Sequence, residues 1–264
     1  RERELELLLD SFHRTKAGEG EVVSITAEAG VGKSRLLYEF RKAVANEDTT
    51  FLEGKCLSYS RGAPYHPVVD ILKATFDIQD GDEDDKIRDK IVSNLKILDV
   101  DEASTLPYIL ELLSVRDSGM DRVSMSPEGR KDQIIEALKR VVVKGSEMRP
   151  LILSVEDLHW IDRSSEDTFN NLLSSITGTK IFVIFTYRSK YVPPWIGKFF
   201  HSQVNLSRLS QEESLAMASH FLGTQDMEDR VKHLVLEKTE GIPFFIEEFI
   251  RSAKELKIIE RFFL

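Results

Sequence analysis

The chain of 264 residues holds a single cysteine, Cys56. No internal disulfide can form, which fits a reducing compartment, and the thiol reads as a small buried apolar residue. Long apolar runs are also missing: stretches such as residues 181–185 (IFVIF) are strand-length, far below the roughly 20 residues that cross a bilayer. The opening residues do not read as a secretory leader, so none is expected. Cations are not in excess either, since 36 Lys and Arg face 45 Asp and Glu for a formal net charge of -9. No Lys/Arg stripe offsets that charge, so direct nucleic-acid binding is disfavoured. Internal repeats and low-complexity tracts do not occur. These absences predict a cytoplasmic protein without a membrane span.

What is present has the balance of an ordinary globular protein, 41% apolar and 31% charged. The length predicts an α/β core with a helical elaboration. The chain opens on Arg1-Glu2-Arg3-Glu4 and closes on Phe262-Phe263-Leu264, so both ends read as cuts from a longer protein. Leu5, Leu8, Leu9 and Phe12 predict a helix over 2–15, stopped by Gly18 and Gly20. Residues 21–26 (EVVSIT) read as a strand, 33–45 as a helix and 50–54 as a second strand. Between 57 and 127, three helical stretches (68–76, 84–97 and 104–113) make a helical insert. Its run 80–85 holds five carboxylates, read as a solvated loop and acidic helix start rather than a metal site. A helix over 127–143, a strand at 151–155, a helix at 164–176 and a strand at 180–186 follow, with 204–206 as a fifth strand. Continuously apolar strands predict a parallel sheet covered on both faces. Helices near 211–222, 226–239 and 244–256 predict a small lid. The predicted domains are therefore 1–206 and 207–256, with 257–264 beginning a further one.

The chemistry concentrates in a few places. Residues 27–34 (AEAGVGKS) match the tail of G-x-x-x-x-G-K-[ST], directly after a predicted strand and opening a helix. Successive main-chain N–H groups of such a turn converge on anionic oxygens, helped by the positive end of the following helix. Glu28, Ala29, Gly30, Val31, Gly32, Lys33, Ser34 and Arg35 are thus the predicted phosphate cradle. Lys33 neutralises the outer phosphates, and the Ser34 hydroxyl takes one position around magnesium. Ala27 departs from the pattern, which has glycine there. The second half is 151–157 (LILSVED), an apolar strand ending in two acids. Glu156 is predicted to hold magnesium and Asp157 to orient or deprotonate the attacking water, with the two roles exchangeable. Beyond it, Asp162 reads as a helix N-cap, Trp160 as packing and His159 as a lone histidine. Arg188, after the strand that ends in Thr186-Tyr187, is predicted to read the γ-phosphate.

Taken together, AEAGVGKS, LILSVEDLHWID, IFVIFTYR and GIPFFIEEFIR resemble the ATPase module of the signal-transducing STAND class of AAA-like P-loop proteins. The nearest likeness is to modules beside class III nucleotide cyclase domains, in protein kinases with predicted-ATPase regions, and in large LuxR-type regulators. PYHPVVDIL, residues 64–72, is also similar. The resemblance implies a P-loop NTPase fold of three αβα layers with a five-stranded parallel sheet in the order 5-1-4-3-2, a helical insert after the second strand and a C-terminal helical lid. It implies ATP or ADP with Mg2+ as ligands, and attached output domains such as cyclase, kinase, winged-helix or repeat domains. An ATP-dependent homo-oligomer belongs to the same expectation, with Arg163 and Arg61 as loose arginine-finger candidates. The opening RERE-L resembles a G-R-E-x-E-L start that lies beside the adenine, which places Arg3 there. Gly241-Ile242-Pro243 resembles the G-x-P lid element, which makes Pro243 a base contact; a left-handed cap at Gly241 followed by a helix-initiating proline is the competing local account. The implied function is Mg-ATP binding with slow hydrolysis in a regulatory switch. The alternative is an ATP-binding assembly scaffold without turnover. A small-molecule kinase lacks its arginine-rich phosphate lid here, and an origin-type DNA-binding ATPase lacks its basic surface.

Overall fold

A computed structural model describes residues 1–59, 64–120, 124–224 and 227–255. Arg61 and the tail 256–264 lie outside the described residues. Two compact units emerge, one of Arg1–Ile25 with Tyr38–Val204, the other of Thr26–Leu37 with the chain from Asn205 onward.

The first unit is built on a five-stranded parallel sheet of β1 (Glu21–Thr26), β2 (Thr50–Lys55), β3 (Leu151–Glu156), β4 (Ile181–Tyr187) and β5 (His201–Asn205). The order β2-β3-β4-β1-β5 is the expected 5-1-4-3-2 read from the other edge. Leu151 pairs with Thr50 on one side and Ile181 on the other. All seven residues of β4 are buried, as a central strand covered on both faces requires. Side chains three apart on a strand point to opposite faces, and the aromatics of β4 show it. Phe182 meets Phe12 of α1 (Glu2–Lys16) and Phe40 of α2 (Lys33–Ala43), with ring centroids 6.2 and 5.7 Å away. Phe185 faces the other way, against Phe169 at 5.7 Å and Trp195 at 4.6 Å.

The insert holds α3 (His66–Thr75), α4 (Asp84–Ile97) and α5 (Leu106–Leu112), and α6 (Pro127–Met148) follows it. Their apolar stripes join the main core through Ile71, Ile91, Leu95, Ile109, Leu138 and Val141. Gly54 permits the close approach of α3 to β2, because a Cβ there would lie 2.7 Å from the Pro67 carbonyl oxygen. In the acidic run, Asp82 accepts from Lys86 at 2.7 Å and Lys90 at 2.8 Å, and these partners hold its carboxyl far below the usual carboxylate range.

Several boundaries differ from expectation, among them the end of the helix expected over 164–176, which stops at Leu173, the end of α6 and the start of β5. Helix α6 runs past the expected end at 143, through Gly145 to Met148, with Ser146 buried in the added turn. The fifth strand starts at His201 rather than 204: Val22 N–H donates to the Phe200 carbonyl, and the outward residues of this edge strand are polar.

In the second unit, α8 (Gln211–Leu222), α9 (Asp229–Thr239) and α10 (Pro243–Glu255) pack around Ala218, Met227, Val235, Ile246 and Ile250. Ser210 and Glu213 close a reciprocal capping box at the start of α8. Leu209 N–H donates to the Gly241 carbonyl at 2.8 Å. Among the described residues, no helix is long and apolar enough to cross a membrane.

Candidate functional site

The loop between β1 and α2 has the backbone that its glycines allow. Gly30 has φ +76° and Gly32 φ +109°, both in the left-handed region where a side chain is strained. Ala27, which replaces a glycine of the motif, is buried and does not have a positive φ, so that position makes no demand for glycine. Lys33, the first residue of α2, turns its ammonium back onto the loop and donates to the carbonyls of Ala27 at 3.0 Å and Glu28 at 3.1 Å. Those bonds hold a positive charge beside the N-terminus of α2, and a helix N-terminus favours an anion. Glu28, Ala29, Gly30, Ser34 and Arg35 are exposed, Gly32 and Lys33 half-buried, and Val31 buried.

The same unit ties the loop to the lid. Phe244 N–H donates to the Gly30 carbonyl at 3.1 Å, and a Cβ on Gly30 would lie 3.0 Å from both Ile242 Cγ2 and Phe244 Cβ. Arg208 spreads its guanidinium between Glu28 at 3.0 Å and Glu240 at 2.7 Å. Sequence reasoning missed Arg208, Glu240 and Phe244; only the spacing from Gly241 hinted at them. Gly241 sits at φ +73°, where a Cβ would meet the Leu209 carbonyl oxygen at 2.5 Å, and Pro243 begins α10 half-buried. The left-handed cap of α9 is Glu240, with Gly241 left-handed after it, so the local account has the proline in place and the cap one residue earlier.

In the first unit, β3 ends at Glu156, which is half-buried and whose carbonyl accepts from Cys56 N–H at 2.9 Å. Asp157 then adopts φ 59°, ψ 42°, a left-handed conformation unusual for a residue with a side chain. Its N–H donates to the buried Thr186 hydroxyl of β4 at 3.1 Å, which fixes the turn. His159 Nδ1 lies 3.9 Å from the Asp157 carboxylate, and its ring packs on Trp160 with centroids 5.1 Å apart. Asp162 caps α7 (Arg163–Leu173) as expected, accepting from Ser165 N–H at 2.9 Å. It also accepts from Tyr65 N–H at 3.2 Å, pinning the insert to this turn, a link the sequence did not reveal. Arg188 stands exposed just past β4. Arg163 is exposed at the start of α7, and Arg3 is exposed on α1.

Burial pushes the Cys56 thiol up to about 12, with Asp162 and Asp157 adding to the rise. The Tyr191 phenol is raised by burial and by the Glu166 carboxylate to which it donates.

Residues 1–184 match the model of the AAA ATPase domain. Residues 210–260 match a domain of unknown function. An uncharacterized protein of Rhizobium meliloti (strain 1021) is 25% identical over 261 residues, covering 97% of this chain and 25% of that protein. The chain thus spans about a quarter of the length of this curated relative. Among solved structures, Drosophila ORC bound to DNA is similar over 99% of this chain and 56% of its own, at 15% identity and a TM-score of 0.59. A Pyrococcus horikoshii STAND protein with a tetratricopeptide repeat sensor is similar over 92% of this chain and 28% of its own, at 18% identity and a TM-score of 0.49.

Proposed function

The chain belongs to the AAA ATPase domain family, and from that premise we propose that it binds Mg-ATP and hydrolyses it slowly as the switch module of a larger signalling protein. The observation that carries this reading is Lys33, whose ammonium is held by the carbonyls of Ala27 and Glu28 inside a loop shaped by two left-handed glycines. In this reading the main-chain amides from Glu28 to Arg35 and the Lys33 ammonium hold the triphosphate. The Ser34 hydroxyl and Glu156 carboxylate are hard oxygen donors of the kind that suit magnesium, which when bound neutralises charge on the phosphates. Asp157, whose turn is fixed by the bond from its N–H to the Thr186 hydroxyl, orients water and accepts its proton as ATP and water become ADP and phosphate. Arg188 senses the γ-phosphate, while Arg3 and Pro243 lie by the base.

Slow turnover fits a switch, which needs long-lived states with different affinities rather than rapid cycling. Calorimetry with Mg-ATP tests the binding claim. Loss of one charge-assisted contact in Lys33→Ala weakens binding by about 10- to 100-fold. Parental affinity in that variant would overturn the phosphate-site assignment. Glu156→Gln and Asp157→Asn are each expected to bind nucleotide yet lose turnover. If the parent itself shows no turnover with magnesium, the scaffold reading replaces hydrolysis.

A further inference from the structure

The helical insert leaves a hollow at the amino ends of β2 and β3, the opposite end of the strands from Glu156. It measures about 280 Å³ and lies wholly within the first unit. Helices α3, α4 and α6 wall it, and Leu52, Val141 and Leu151 supply its buried apolar lining. Ile97 and Met148, 64% and 58% exposed, stand at its rim. Thr75, Val141 and Val142 also line a narrower pocket of about 30 Å³ that reaches in between α3, α6 and α7. The space is therefore wide at the surface and tapers inward.

Gly145 keeps that space open. It sits inside α6, where glycine is among the least favourable residues. Its φ is not positive, and a Cβ built there would meet no described atom within 4 Å, so neither the backbone nor a close approach calls for glycine. A larger side chain at this position would stand in the hollow that Gly145 lines.

The rim carries one kind of charge. Among the described lining residues Arg149 alone is charged. Its guanidinium is exposed, with Nε 3.3 Å from the exposed Asp48 carboxylate. A pair of that kind is weak, and the five N–H donors of the planar fork can serve a second carboxylate. The neutral neighbours are committed within their own helices: the Thr75 hydroxyl donates to the Ile71 carbonyl at 2.7 Å, and Asn94 Nδ2 donates to the Lys90 carbonyl at 2.9 Å. A ligand with an anionic head and an apolar tail thus finds a cation at the rim and apolar walls behind it. An apolar cavity of about 150 Å³ takes benzene with its six carbons, so a hollow of about 280 Å³ holds roughly eleven.

We propose that this hollow binds a medium-chain monocarboxylate of roughly ten carbons, with its carboxylate on Arg149 and its chain running inward past Val142 toward α7. The site has the make-up of a small-molecule pocket, mostly apolar walls with one placed polar group. A fused aromatic acid is the weaker fit, because the space narrows past Thr75, where a flexible chain can follow and a rigid ring system cannot. The inference goes beyond the nucleotide reading and uses none of its residues.

Calorimetry with hexanoate, octanoate and decanoate tests the site. Affinity is expected to rise about tenfold with each added pair of methylenes as they leave water. Octanol, which lacks the charge, should bind about tenfold more weakly than octanoate, and acetate, which lacks the chain, should give no heat. Arg149→Gln should weaken octanoate about tenfold and leave octanol unchanged. Gly145→Leu should abolish decanoate binding while melting no lower than the parent, since leucine favours a helix; loss of the ligand by a protein of at least parental stability cannot be misfolding. Should that variant melt lower, the contrast between octanoate and octanol in Arg149→Gln decides alone. Lys33→Ala should take decanoate like the parent, which separates this site from the phosphate loop. No heat from decanoate in the parent overturns the proposal, as does an affinity independent of chain length. Octanol binding as tightly as octanoate, or parental decanoate binding in a stable Gly145→Leu, overturns it as well.

Discussion

Asp157 allows the structural and chemical demands on one residue to be separated. Its backbone is left-handed, at φ 59° and ψ 42°, a region that costs an L-residue roughly 1–2 kcal/mol, with Asp and Asn paying least through local hydrogen bonding. Alanine keeps the Cβ clash and loses the polar side chain, so Asp157→Ala is expected to destabilise the fold by about 1 kcal/mol. Glycine removes the clash but adds unfolded-state entropy of about 0.4–1 kcal/mol, so Asp157→Gly should lie within about 0.5 kcal/mol of the parent. Asparagine adopts the left-handed region readily and should also remain near the parent. The bond from the residue 157 N–H to the Thr186 hydroxyl is common to the whole series and cancels. Urea unfolding measures this order, and ATP turnover measures the second demand. If the carboxylate handles the water, all three variants lose turnover, including the two that keep their stability. Equal stability of the alanine and glycine variants would refute the strain argument. Parental turnover in Asp157→Gly would refute the acid's role.

Four further outcomes follow from the geometry. A Cβ on Gly20 would sit 2.0 Å from the Ile176 carbonyl oxygen, so Gly20→Ala should cost about 3 kcal/mol in a denaturant titration, the upper end for overpacking. Burial lowers the His201 pKa from its ordinary 6.5; the unfolded chain then takes the proton first, stability falls as pH drops below that value, and His201→Gln should flatten the slope. The Cys56 thiol, pushed up to about 12, should resist a disulfide reagent at pH 8 in the native protein and react stoichiometrically in denaturant. Gly30→Ala and Gly32→Ala share the backbone strain, but only the former meets Ile242 and Phe244; hydrogen exchange in α10 should accelerate for the first and not for the second.

Much of the fold was legible because its signals are local. Buried strands such as IFVIF and the loop AEAGVGKS announce themselves through composition and spacing, and the acid pair after LILSV follows from where an apolar run stops. The edge strand at His201–Asn205 was misplaced because only Val204 of its five residues is buried, so no alternation marks its start. The end of α6 was placed at 143 because the apolar run stops there, while the helix continues to Met148 with only Ser146 buried in the added turn. In the site, the loop and both acids could be read from the sequence, while the partners that shape them could not. Thr186 lies 29 residues from Asp157, and Arg208 lies 180 from Glu28; no periodicity links such pairs, and only the folded chain brings them together.

The Arg208 contacts bear on how the loop and lid act together. Glu28 is exposed in the loop, Glu240 ends α9 in a left-handed cap, and one planar guanidinium spans both. An exposed ion pair alone is a weak tether. Here it runs beside the bond from Phe244 N–H to the Gly30 carbonyl and the close approach of Gly30 to Ile242, so three contacts of different chemistry join one short loop to the entrance of α10. Because Phe244 N–H binds the Gly30 carbonyl directly, a change in the loop backbone is felt by the first turn of α10 without any intermediary. If the loop binds phosphate as proposed, the lid needs no phosphate contact of its own to register it, and the test of that statement lies in α10 rather than in the loop.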